Sequence, residues 1–191
     1  VCLFAFTAAA QNTTNILLFG NSNQPGYSLH QSTVDLVDQG QSVDFASRSV
    51  LYDALSDDSS TLSETAKNSL KLNNAISLGF ISAMVEYNDL FMVTKTLIEA
   101  YPENASDIVG LSVSLYPEYA QLAIDAATIT GEINAEDALI AAISAGADPA
   151  NVSSATAAGP TGTTIVAAPV PLGAGIGSAG SGGGDSTASN N

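Results

Sequence analysis

YNDLFMVTKTLIEAY (87–101), PENASDIVGLSVSLY (102–116), PEYAQLAIDAATITG (117–131) and EINAEDALIAAISAG (132–146) are consecutive lines of one repeat with a period of fifteen residues. The first position carries Tyr87, Pro102, Pro117 and Glu132, the fourth Leu90, Ala105, Ala120 and Ala135, and the last Tyr101, Tyr116, Gly131 and Gly146. Proline is tolerated at the first helical position, where its missing N–H would be unpaired anyway, and it pushes the residue before it out of the helical region. Each Tyr-Pro-Glu therefore predicts the end of one helix and the start of the next. Glu103 and Glu118 fall in a first turn, where negative charge complements the helix dipole, and Gly131 and Gly146 suit left-handed C-terminal caps. Fifteen residues hold about three helical turns and a short connection, so consecutive helices are expected to be antiparallel neighbours. Apolar residues at the fourth, seventh or eighth, and eleventh or twelfth positions predict one buried stripe per helix. Examples are Ile108, Val109 and Val113, then Ile124 and Ala127, then Leu139 and Ile143. Residues as small as Ala105, Ala120 and Ala135 on such a stripe mark where helices approach closely.

Upstream, SVDFASRSVLYDAL (42–55) has helical spacing and is broken by the polar run from Asp57 to Thr61. Thr61 and Glu64 stand at capping-box spacing for the helix that follows. Leu70, Ala75, Ile76, Phe80, Ile81 and Met84 are its core candidates, with an interruption expected at Asn73 and Asn74 or at Gly79. The predicted fold is all-α: antiparallel helical hairpins in a small bundle or short helical-repeat stack, with at least five helices between residues 42 and 158. Breaks are expected near Asp57, Pro102, Pro117, Gly131 and Gly146, and a short final helix after Asp148. Residues 11–41 read as a loop-rich segment, in which His30, the one histidine, is expected to be a solvated loop residue. Residues 161–191 are rich in Gly, Ala, Ser and Thr without helical period, and are expected to be a flexible tail whose one apolar segment is Ile165 to Leu172. The helical domain is thus expected to span 42–160.

Four basic residues stand against 19 acidic ones in 191, a formal net charge of −15. Such a chain repels phosphate backbones and anionic headgroups, which argues against nucleic acid and against membrane insertion. Residues 1–10, VCLFAFTAAA, read as the back half of a secretory signal peptide with cleavage after Ala10, too short to span a membrane. Cys2, the single cysteine, would leave with it; a lipoprotein cysteine is the alternative, disfavoured by the apolar residues that follow. A secreted or periplasmic location is expected.

One cluster of oxygen ligands stands out: Asp57 and Asp58 with Glu64 nearby are candidate cation ligands. The alternating acids and central glycine of a calcium loop are missing, so acidic capping of the next helix is the preferred reading. Tyr87, Tyr101 and Tyr116 are candidate walls of a binding site between helices, against the alternative that they cap the ends of the helix stack. No nucleophile elbow, zinc-helix motif, phosphate loop or cysteine pair occurs, so no catalysis and no cofactor are expected.

The Pro-Glu-x-Ala repeats, the Ala-Gly-x-Asp-Pro that follows them and the Gly/Ser tail resemble a loose group of uncharacterised secreted proteins of Gram-negative bacteria with short alanine-rich helical repeats. The likeness covers residues 87–160 and implies no activity and no functional residues. Two function classes follow. The first is a structural or interaction protein whose stacked helices offer a surface to a protein partner or to further copies. The second is a small-molecule or ion binding module between the helices.

Overall fold

The structure, a computed structural model, describes residues 18–56 and 62–153. Eight α-helices make up the described part: α1 Pro25–Asp38, α2 Val43–Ser56, α3 Glu64–Leu72, α4 Asn74–Tyr87, α5 Leu90–Ala100, α6 Ala105–Leu115, α7 Ala120–Thr130 and α8 Ala135–Ser144. Single 3-10 turns at Pro102–Asn104 and Pro117–Tyr119 precede α6 and α7. No strand occurs among the described residues.

The fifteen-residue period is realised residue for residue. The first helical residues of α5 to α8 are Leu90, Ala105, Ala120 and Ala135, the four fourth positions of the repeat. Two devices start these helices. In the first and last lines a side chain caps: Asp89 accepts from the backbone N–H of Phe91 at 2.9 Å, and Asn134 accepts from that of Asp137 at 2.8 Å. In the middle lines the proline turn does it, with Asn104 N–H donating to the Tyr101 carbonyl at 2.9 Å and Tyr119 N–H to that of Tyr116 at 3.0 Å. Gly131, at φ 77°, ends α7 in the left-handed conformation that side chains avoid.

Within the repeat, helices two apart pack on one another more extensively than consecutive ones: α7 lies on α5 and α8 on α6, while each also touches its sequence neighbour. Small residues permit this. Ala123, Ala126 and Ala127 in α7 and Ala138 and Ala142 in α8 are fully buried, and a methyl side chain lets two backbones come close at interior density. The fourth-position Ala105 and Ala120 are buried as well, and Ala135 half-buried. At the centre stands α6, which meets α1, α3, α5, α7 and α8 and buries residues on every side, from Ile108 and Val109 to Val113, Ser114 and Leu115. Its Ser112 hydroxyl lies 2.9 Å from that of Thr94 on α5, so the buried polar pair satisfies itself.

The segment 11–41, expected to be loop-rich, carries the fourteen-residue α1. Its buried side is Gly26, Leu29, His30, Thr33 and Val34, too short of apolar residues to register as a helical stripe in the sequence. Thr61 of the expected capping box lies outside the described residues; α3 is capped by Ser63, whose hydroxyl accepts from Ala66 N–H at 3.1 Å. That makes Glu64 the first helical residue, with no cap to reach back to. Between α3 and α4 the interruption is Asn73, which accepts from the N–H groups of Ala75 and Ile76 at 3.0 and 3.3 Å, and Gly79 continues the helix. Of the six core candidates there, Ala75 alone is exposed. After α8, Asp148 caps a tight turn by accepting from Ala150 N–H at 2.9 Å, and no helix follows through Ser153. The expected signal peptide, the rest of the expected final helix and the tail lie outside the described residues.

Candidate functional site

Tyr116 closes α6 and occupies the best-built polar and aromatic cluster of the described residues. Its ring is 1% exposed. Phe19 meets it edge-on at 5.5 Å between centroids and leans on Tyr119 at 4.8 Å; Phe80 of α4 lies beneath at 6.4 Å. The chain before α1 clasps the turn from outside. Asn21 Nδ2 donates to Glu118 Oε2 at 2.8 Å, and Glu118 N–H donates to Gln24 Oε1 at 3.3 Å. Gly26 is required by this closeness: a Cβ there would fall 2.4 Å from the Tyr116 ring. Burial raises the Tyr116 phenol well above the ordinary tyrosine range, so it carries no charge.

Beside that ring lies a cavity of about 10 Å³ lined by Gly26, Leu29, His30, Phe80, Met84 and Tyr116 among others. It is barely water-sized and apolar, so it holds no substrate. His30 faces it 2% exposed, with neither ring nitrogen hydrogen-bonded. Burial lowers its pKa from the ordinary 6.5, leaving a neutral imidazole. The expected solvated loop residue is thus a buried helical one. No serine, threonine, cysteine or charged side chain lines its cavity.

The three candidate tyrosines are not brought together. Tyr87 and Tyr101 stand at the surface, 41% and 38% exposed, while Tyr116 is interior. Among the cation candidates, Asp57 and Asp58 lie outside the described residues, and Glu64 is exposed with Lys67 Nζ 3.9 Å away. No group of three His, Cys, Asp or Glu residues able to hold a metal occurs among the described residues.

Two surface features remain. An open groove of about 380 Å³ runs between α3, α6 and α8, lined by Thr65, Asn68, Leu72, Ser106, Asp107 and Ser144 among others. Farther along the repeat, Ile129 of α7 and Ile140 and Ile143 of α8 stand in water, 50%, 55% and 40% exposed. Ile143 was expected in the buried stripe of the fourth line, and its partner Leu139 is only half-buried. No helix of the described residues is long and apolar enough to cross a membrane. No protein-family model, curated protein or solved structure matches the chain.

Proposed function

We propose that this chain is a secreted or periplasmic structural or interaction protein, whose stacked helices present a surface and carry out no reaction of their own. The observation that carries this reading is the exposure of Ile129, Ile140 and Ile143 on the last two helices, where every other isoleucine among the described residues is buried; Leu72 of α3 is the other strongly exposed aliphatic side chain. Large aliphatic groups held in water on a well-packed domain are characteristic of a surface that meets another protein. The composition supports the same reading: an acidic chain of this size has little attraction for nucleic acid or anionic lipid. Its resemblance to alanine-rich repeat proteins of Gram-negative bacteria supports export.

Repeats also stack on like repeats unless polar faces cap the ends, so association of copies is one version of this function. Light scattering on the full chain across a wide concentration range tests it. A rise in mass that disappears in Ile140→Gln/Ile143→Gln is the expected result for self-assembly, and a strict monomer removes that version. A second reading, small-molecule binding, is favoured by the groove between α3, α6 and α8 alone. Backbone chemical-shift changes at Ser69 and Asp107 on adding small polar ligands would support it.

A further inference from the structure

We propose that α7 and α8 form an unfinished end of the stack, and that its occupant is a basic amphipathic helix of another protein. The inference rests on the interaction reading above and names the class of partner.

The repeat register supplies the first argument. Its twelfth position holds Ile98 in α5, Val113 in α6, Thr128 in α7 and Ile143 in α8. Ile98 and Val113 are completely buried, Thr128 is half-buried and Ile143 is 40% exposed. What separates the units is what comes after them. Helices α5 and α6 each carry the helix two places later, α7 and α8, whereas among the described residues α7 is covered only by its neighbour α8 and nothing later packs on α8. The twelfth position that is closed in the first pair is only partly covered in α7 and open in α8. The described chain beyond α8 turns away from it and returns to the first turn of α7, where Ser153 N–H donates to Gln121 Oε1 at 2.9 Å.

Substitution within the repeat supplies the second. Ile140 stands at a ninth position where the other lines carry Lys95, Gly110 and Asp125, and Ile129 at a thirteenth where they carry Glu99, Ser114 and Ser144. The last pair has therefore gained aliphatic side chains at places that are otherwise polar or small. A helix that continues the stacking geometry of the repeat is the shape that would cover them, presenting apolar residues at three- and four-residue spacing.

Charge selects among helices. No lysine, arginine or histidine follows Lys95 in the whole chain. On α8 itself Glu136 and Asp137 are exposed beside Ile140, and Glu132 precedes them. A partner with lysines or arginines flanking its apolar stripe is attracted and aligned by these carboxylates. A second copy is disfavoured, since it would bring an equally acidic end against this one.

The probe is a synthetic helical peptide with leucines at three- and four-residue spacing and lysines on the flanks, titrated into the full chain. Two companions control it, one with every lysine made glutamate and one with the same residues in scrambled order. The lysine peptide is expected to bind at about micromolar affinity, more weakly as salt rises, with hydrogen-exchange protection on α8. Ile140→Gln/Ile143→Gln should weaken it at least about tenfold, whereas Tyr52→Gln, a change at a still more exposed apolar side chain on α2, should not. Equal binding by either companion, or no effect of the isoleucine pair, overturns the proposal. Binding that appears only when Ile165, Val166, Val170 and Leu172 are changed to serine would mean that the chain's own segment occupies the face, and also overturns it. A dimer abolished by the isoleucine pair, with no peptide binding, overturns the partner class while the interaction reading stands; neither dimer nor peptide binding removes both.

Discussion

Tyr101-Pro102-Glu103 and Tyr116-Pro117-Glu118 are the same three residues fifteen positions apart, with the same backbone. Tyr101 sits at φ −134°, ψ 64° and Tyr116 at φ −135°, ψ 64°, and each donates its N–H to the carbonyl four residues back, Leu97 at 2.8 Å and Ser112 at 2.9 Å. Their side chains meet opposite fates, 38% and 1% exposed. Only the second turn has Phe19, Asn21, Gln24 and Gly26 laid over it. Proline geometry is a local property, the same wherever the tripeptide occurs, while burial is conferred by a segment about ninety residues away in the chain.

The sharpest way to break the comparison is to truncate both rings. Tyr116→Ala should cost about 4 kcal/mol in urea unfolding and Tyr101→Ala less than about 1 kcal/mol. Equal losses would mean that the clasp adds nothing. Next comes the clasp itself. Gly26→Ala puts a methyl group into the Tyr116 ring and should destabilise by about 2 kcal/mol, even though alanine is the better helix former. Combining it with Tyr116→Leu should be less than additive, because the smaller side chain makes room; strict additivity would show the two sites to be independent. A change that the turns share should affect them alike: Ala105→Leu and Ala120→Leu, each at the first helical residue after its proline turn and each buried, should both cost roughly 1 to 3 kcal/mol. An unchanged urea midpoint in either would remove the close approach of helices argued from the fourth position.

The smallest effect expected is a pH dependence confined to the clasped side. His30 is neutral in the folded state because burial lowers its pKa, while in the unfolded chain it takes up a proton at about 6.5. The unfolded state then binds more protons, so stability is greatest above pH 6.5 and falls as pH drops through that value toward the lowered folded pKa. The only other titratable group lining its cavity is the Tyr116 phenol, which stays protonated throughout this window. Urea midpoints measured between pH 7.5 and 5.5 should fall in the parent and fall less in His30→Leu. Matching slopes would place the acid sensitivity elsewhere.

The breaks between α5 and α8 could be read from the chain because what sets them is local, two prolines and a left-handed glycine; Asp89 and Asn134 as the caps of α5 and α8 emerge from the structure. The N-terminal helix could not. Its inner face uses Gly26, His30 and Thr33, residues that become interior only because α2, α4 and the end of α6 with Tyr116 are there to meet them. The candidate sites divide in the same way. Tyr87, Tyr101 and Tyr116 recur at equivalent places in the repeat, yet recurrence along the chain says nothing of convergence in space, and the fold puts two on the surface and one inside. For Ile143 the period assigns the face correctly and the burial wrongly, since a period names the side on which a neighbour would sit without supplying the neighbour. Short-range sterics and capping in the sequence thus determine an all-α chain with fifteen-residue helical units. Which of those units is clasped, which is central and which keeps an exposed face among the described residues depends on contacts between residues far apart in sequence, and only the tertiary structure decides them.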